Sequence, residues 1–334
     1  MIISKTPMRL SFIGGGSDLP SYYRAFGGGA VLSTSINKFM YLTINKRFGP
    51  GFRISYSKTE EVDAVEKIEH KIVRNTLLKF GMNAFGPEDG IEVTSIADIP
   101  SRGSGLGSSS AFTVGLLHAL HAYCGRYRSK LELAAEASEI EIERCLEPIG
   151  KQDQFASACG GLNVIRFNAN DSVTVEPVIA PAQTMRRIES ELLMFYTGIA
   201  RSASELLRAQ TEAVATNQRK QKTLERMVEL VDVLREGITS GDSECIGGIL
   251  HESWLMTKGL VGGISTELID DAYERARRAG ARGGKLLGAG GGGFLVFSAP
   301  KERHEAIHAA LSPLRHVDFS FDTLGTTIVF YQPS

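Results

Sequence analysis

The chain has 334 residues, of which 43% are hydrophobic and 22% charged, with a formal net charge of −1. This is globular composition, too long for one ordinary core, and its balanced charge excludes a basic field for nucleic acid or an anionic membrane. Cys124, Cys145, Cys159 and Cys245 show no metal spacing, and MIISKTPMRL carries Lys5, Pro7 and Arg9 where a signal peptide needs an apolar stretch, so a cytoplasmic protein with reduced thiols is predicted.

The first half reads as strands punctuated by glycine. Residues 1–13 form a strand that runs into Gly14-Gly15-Gly16, and 30–48 and 52–57 are rich in β-branched and aromatic residues, as strands are. Residues 64–80 are predicted helical and 91–96 a strand. A helix follows over about 108–124, ending at Gly125. Ser129 opens the next helix, with Glu132 three residues on completing a capping box, and this helix stops before Pro148. Strands are predicted at 162–168 and 173–178. The character then changes, and a boundary near residue 185 divides the chain into 1–185 and 186–334. A strand at 191–198 precedes charged helices over about 202–240 with a break near Asn217. A helix at 266–279, the strand FLVFS, a helix at 301–311 and strands at 316–321 and 326–331 complete the pattern.

The longest uncharged run, residues 103–125, could span a bilayer by length. It opens with glycine and serine and contains His118 and His121, so it reads as a loop and a buried helix. A glycine-rich loop entering a helix N-terminus is an anion site, because free N–H groups and the helix dipole both favour negative charge. Gly103, Gly105 and Gly107 allow close backbone approach, and Ser108, Ser109 and Ser110 offer more hydroxyls than one cap requires, which suits phosphate or magnesium. The usual nucleotide signatures do not fit. Gly150-Lys151 and Gly284-Lys285 lack the Ser or Thr of a Walker loop. Residues 288–293, GAGGGG, follow a helix and precede a strand, the reverse of the dinucleotide order.

Three glycine motifs in order carry a resemblance: PMRLSFIGGGSD at 7–18, GSGLGSSSA at 103–111 and KLLGAGGGGF at 285–294. Together they resemble the GHMP kinases. GKQDQFASACGG (150–161), TGIARSASE (197–205) and the run from Gly263 to the last glycine loop are similar to the heptose-phosphate kinase and fucokinase branch. The resemblance implies an α/β fold of two domains, a ribosomal-S5-like N-terminal one and a ferredoxin-like C-terminal one, with ATP and sugar in the cleft between them. It implies an ATP- and Mg2+-dependent sugar kinase acting on the anomeric hydroxyl of a heptose 7-phosphate. The alternatives are a fucokinase or other sugar 1-kinase, and an inactive sugar-sensing relative. The partners implied are ATP and a sugar phosphate, with no nucleic acid and no membrane, while a homodimer stays open.

The resemblance also assigns residues. Gly103, Ser104, Gly105, Leu106, Gly107, Ser108, Ser109 and Ser110 would wrap the ATP phosphates, and Ser109 would ligate magnesium with a glutamate of the following helix. Glu143 is the choice there, with Glu139 and Glu141 close by. Asp153, expected in a loop, would act as base or charge stabiliser beside the acceptor hydroxyl, paired with Arg9. Gly14, Gly15, Gly16, Ser17 and Asp18 would meet the sugar, as would Gly290 and Gly291. Arg201 is expected to meet its distal phosphate, because a guanidinium fork suits phosphate oxygens, with Arg24, Arg47 and Arg53 behind it.

Overall fold

Met8, Leu10, Phe12 and Ile13 are fully buried, and so is the polar Thr6 just before them. That near-continuous burial marks a strand covered on both faces. In the computed structural model, which describes residues 1–82, 89–100, 103–199 and 203–332, strand β1 (Ile2–Ile13) is indeed packed between helices. It pairs antiparallel with β2 (Gly29–Phe48), which sets Arg9 opposite Ser35 and Leu10 opposite Thr34. The strands β3 (Gly51–Ser55), β4 (Thr59–Val62) and β5 (Asp89–Ala97) extend the sheet beyond β2, with β3 and β5 parallel. The other end of β2 carries β6 (Leu162–Phe167), which carries β7 (Val173–Pro177).

Between these strands lie α1 (Pro20–Tyr23), α2 (Lys71–Lys79), α3 (Ser108–Tyr123), α4 (Lys130–Ser138) and α5 (Gln152–Cys159). Helix α3 is apolar nearly all round and packs on β1 and β2, with α4 and α5 also against it. The predicted capping box is present, with Ser129 Oγ accepting from Glu132 N while the Glu132 carboxylate accepts from Ser129 N at 2.8 Å. The end of α4 then widens into a π-helical turn over Glu139–Arg144, closed by Cys145 N donating to Ile140 O at 2.8 Å.

A second antiparallel sheet has the order β11 (Arg315–His316), β8 (Leu192–Tyr196), β10 (Phe294–Ser298), β9 (Gly283–Leu286). Helices α6 (Ala182–Glu191), α7 (Ala203–Thr216), α8 (Gln218–Ser240), α9 (Cys245–Leu260), α10 (Glu267–Arg278) and α11 (His304–Leu311) accompany it. The predicted break at Asn217 is the α8 N-cap, whose side chain accepts from Arg219 N and Lys220 N. None of the helices among the described residues is long and apolar enough to cross a membrane.

Three expectations change. The helix predicted at 64–80 is a 3-10 turn (Val65–Lys67) followed by α2. Helices α5, α6 and α9 were not anticipated. The division into 1–185 and 186–334 does not hold for the last strands. Here β12 (Phe321–Asp322) pairs with β2 and β13 (Thr327–Tyr331) with β1, so the first sheet is finished by the end of the chain. One buried cluster runs from Ile2 and Leu10 through Leu230 and Trp254 to Phe297, so both sheets share a core.

Candidate active site

The three glycine motifs converge on one cleft of about 750 Å³. Gly105, at φ +74, needs to be glycine because a Cβ there would stand 2.1 Å from Leu287 O. A Cβ on Gly288 would in turn stand 2.5 Å from the Gly105 Cα. The phosphate loop and the last glycine loop are thus docked backbone to backbone. Gly105 therefore serves the seam between the loops as well as lining the cleft.

Helix α3 begins after Gly107, itself left-handed at φ 73, and no side chain caps it. The serines are engaged elsewhere. Ser104 Oγ and Ser108 Oγ lie 2.7 Å apart, and Ser109 Oγ donates to Glu141 Oε1 at 2.6 Å. The uncapped first turn of α3 faces the cleft with Ser108, Ser109 and Ser110 on its wall. Leu106 is buried and holds the loop in place, its carbonyl accepting from Arg9 N at 3.0 Å.

Arg9 links this loop to the opposite wall. Its Nε donates to Asp153 Oδ1 at 2.7 Å and its Nη2 to Asp153 Oδ2 at 2.9 Å, while Nη1 donates to Gly105 O at 2.6 Å. This bidentate fork is a strong, direction-fixing pair. Asp153 stands in the first turn of α5 rather than in a loop, where the helix dipole also favours a carboxylate. Its side chain is 24% exposed and Arg9 5%.

The glycine turn after β1 forms the next wall. Gly15, Gly16 and Asp18 line the cleft. Asp18 is buried, and its carboxylate accepts from Gly16 N at 2.9 Å and from Gln152 N and Nε2 at 3.3 Å. Burial, and then the Asp153 charge, raise its pKa above the usual aspartate value. Gly14 and Ser17 are structural here. Ser17 Oγ donates to Gly14 O at 2.8 Å and to Ala30 O at 3.0 Å, tying the turn to β2.

Glu143 is corrected by helical phase. Leu133, Ala137 and Glu141 fall at four-residue spacing on the buried side, and two residues on Glu143 is exposed. Glu141 is the carboxylate that meets Ser109. It is fully buried, its Oε2 accepts from Gln154 Nε2 at 2.7 Å, and burial pushes its pKa up to about 7. The four-residue spacing was available in the sequence. Gly290 and Gly291 are also corrected. They pack on Ile264, with Gly291 N donating to Ile264 O at 2.9 Å, while Gly288 and Ala289 face the cleft. Arg201 lies outside the described residues. Arg47 and Arg53 are paired with Glu61 and Glu92. Arg24 pairs with Asp171 close to α1. Lys285, Gln152 and Gln210 also line the cleft and were not singled out by the sequence.

Ser109 and Glu141 offer hard oxygen donors, and a buried carboxylate with no cation paired to it among the described residues fits a magnesium ion whose other ligands come from phosphate and water. Among the described residues there is no cluster of three or more His, Cys, Asp or Glu that could hold a metal unaided. A second cleft of about 700 Å³ adjoins the first at Lys71, Ile72, Ser108, Ser109 and Glu147, and is lined deeper in by Met40, Ile99 and Phe112.

Two family descriptions match the chain, "GHMP kinases N terminal domain" over residues 70–161 and "GHMP kinases C terminal" over 234–314. A Campylobacter jejuni D-glycero-alpha-D-manno-heptose 7-phosphate kinase is 28% identical, with 97% of each chain covered. A Pyrococcus horikoshii mevalonate kinase is 30% identical over 78% of this chain and 76% of its own. The crystal structure of a D-glycero-D-manno-heptose 1-phosphate kinase from Bacteroides thetaiotaomicron superposes with a TM-score of 0.77 at 25% identity, covering 98% of both chains.

Proposed function

The chain belongs to the GHMP kinase family and is a sugar kinase of that family, and from this premise we propose that it transfers the γ-phosphoryl of ATP to the anomeric hydroxyl of D-glycero-D-manno-heptose 7-phosphate. The observation that carries the reading is Arg9, which bonds the phosphate loop at Gly105 O and Asp153 at once. It spans the seam between phosphate donor and acceptor. The likeness to the Campylobacter heptose 7-phosphate kinase over 97% of both chains supports the sugar.

Each wall then has a task. The triphosphate lies along Gly103–Ser110 at the uncapped start of α3, where free N–H groups meet phosphate oxygens. The base occupies the second cleft, whose Met40, Ile99 and Phe112 suit a flat apolar ring. Asp18 and Gln152 take hydrogen bonds to the sugar hydroxyls and hold the anomeric oxygen toward Asp153. Asp153 accepts the hydroxyl proton as the oxygen–phosphorus bond forms and the bond to the bridging β–γ oxygen breaks, leaving ADP. Arg9 holds the Asp153 carboxylate aimed at the hydroxyl until the proton arrives. Bound at Ser109 and Glu141, magnesium supplies charge neutralisation of the phosphate oxygens.

A coupled assay for ADP release over a panel of acceptors tests the reading. Heptose 7-phosphate is expected to exceed free heptose, fucose, galactose and mevalonate in kcat/KM. Better turnover of free fucose would replace the reading by a fucokinase.

A further inference from the structure

Lys285 lines the cleft and takes no part in the chemistry above. It lies on β9, two residues before the Leu287 carbonyl that packs on Gly105, and is 6% exposed. Its ammonium has three donors but, among the described residues, only two long contacts, both at 3.4 Å, to Phe12 O and Ser253 Oγ. No carboxylate among the described residues forms an ion pair with it. The charged group that acts on it is a second cation, Arg9. Burial and that neighbour together pull its pKa down to about 8.

A buried ammonium without a counter-charge is costly, and proteins carry one where a ligand completes it. The position says which ligand. Phe12 leads into the glycine turn of the sugar wall, and Leu287 abuts the phosphate loop, so Lys285 sits at the junction of the two. We infer that Lys285 is a catalytic residue that binds a non-bridging oxygen of the terminal phosphoryl group of the nucleotide during its transfer. The ammonium keeps its protons and donates hydrogen bonds, while the proton of the acceptor passes to Asp153. The inference rests on the kinase reading but not on the identity of the sugar.

The test compares binding of AMP-PNP and ADP, each with Mg2+, to the full chain by calorimetry, with no acceptor present. Relative to ADP, the wild type is expected to favour AMP-PNP by roughly 10- to 100-fold through this contact. Lys285→Met should remove that preference, and Lys285→Arg should keep much of it. An unchanged AMP-PNP to ADP ratio in a folded Lys285→Met protein overturns the inference and makes Lys285 a structural tie between β1 and α9. Should Lys285→Met not fold, acylation of Lys285 in the wild type, mapped by mass spectrometry, decides instead. Protection by AMP-PNP and not by ADP supports the contact, and equal protection by both overturns it. A wild type that binds neither nucleotide overturns the kinase reading along with the inference.

Discussion

The two ends of the cleft are built from different materials. At the phosphate end, backbone meets backbone: Gly105 against Leu287 and Gly288, with α3 starting uncapped from Gly107. At the sugar end, side chains do the holding, with Asp18 bonded to Gly16 and Gln152 and Asp153 forked by Arg9. The backbone end can recognise only what all nucleotide triphosphates share. On the proposed reading, the side-chain end is where a single substitution would alter acceptor preference. On that same reading, sugar choice belongs to the Asp18 wall and nucleotide capture to the seam between the loops.

This contrast can be broken most severely at the seam. Gly105→Val would put a side chain into Leu287 O at a left-handed residue, where something must shift. A loss of about 4 kcal/mol or more in urea unfolding is expected, with ATP binding lost as a consequence. A stable, folded variant would show that the loops part easily. Next comes Asp153→Asn, which should cut kcat by roughly 10²-fold or more and leave the ATP KM nearly unchanged. Near wild-type turnover would make the pair with Arg9 purely structural.

Glu141→Gln sharpens the comparison from the metal side. With its pKa raised to about 7 from 4.5, the folded chain binds more protons at Glu141 than the unfolded chain does. The ligand-free protein therefore loses stability from this group as pH rises from about 4.5 to about 7. The full term is on the order of 3 kcal/mol. Glu141→Gln should thus raise the Tm of the ligand-free protein at pH 7.5–8 while removing Mg2+-dependent turnover, as read by thermal scans and magnesium titration. A fall in Tm at that pH would refute the sign. The smallest effect is expected from Asp18→Asn, a roughly 10-fold rise in the sugar KM with nucleotide binding unaltered. A comparable change in the ATP KM would show that the two ends are not separable.

The sequence displayed the seam better than the sugar wall, for a physical reason. Backbone contacts leave glycines in a fixed order, and Gly105 and Gly288 were visible as such. Side-chain placement depends on phase and packing. Glu141 and Glu143 are both acids on one helix, and only the stripe of Leu133 and Ala137 tells which one turns inward. Asp153 was read from its neighbours as a loop residue, because an eight-residue helix between Pro148 and β6 leaves too short a pattern to show its period. Lys285 was masked by the motif it belongs to, since a lysine beside five glycines draws no attention until its burial is seen.

The return of β12 and β13 to the first sheet bears on how the protein is made. During synthesis β1 has one neighbour, β2, long before the strand on its other side exists. Its outer edge, Ile2 to Lys5, waits for Thr327–Tyr331. The buried hydroxyl of Thr6 likewise waits for Thr326, which it meets at 2.9 Å, with His118 Nδ1 on that same Thr326 at 3.0 Å. A nascent chain that has emerged only to residue 185 holds the phosphate loop, Arg9 and Asp153, yet its central sheet carries an open strand edge. Such an edge invites pairing with a neighbouring chain. Completion of the first sheet is therefore a late event, and the outer edge of β1 stays unpaired until β13 is made.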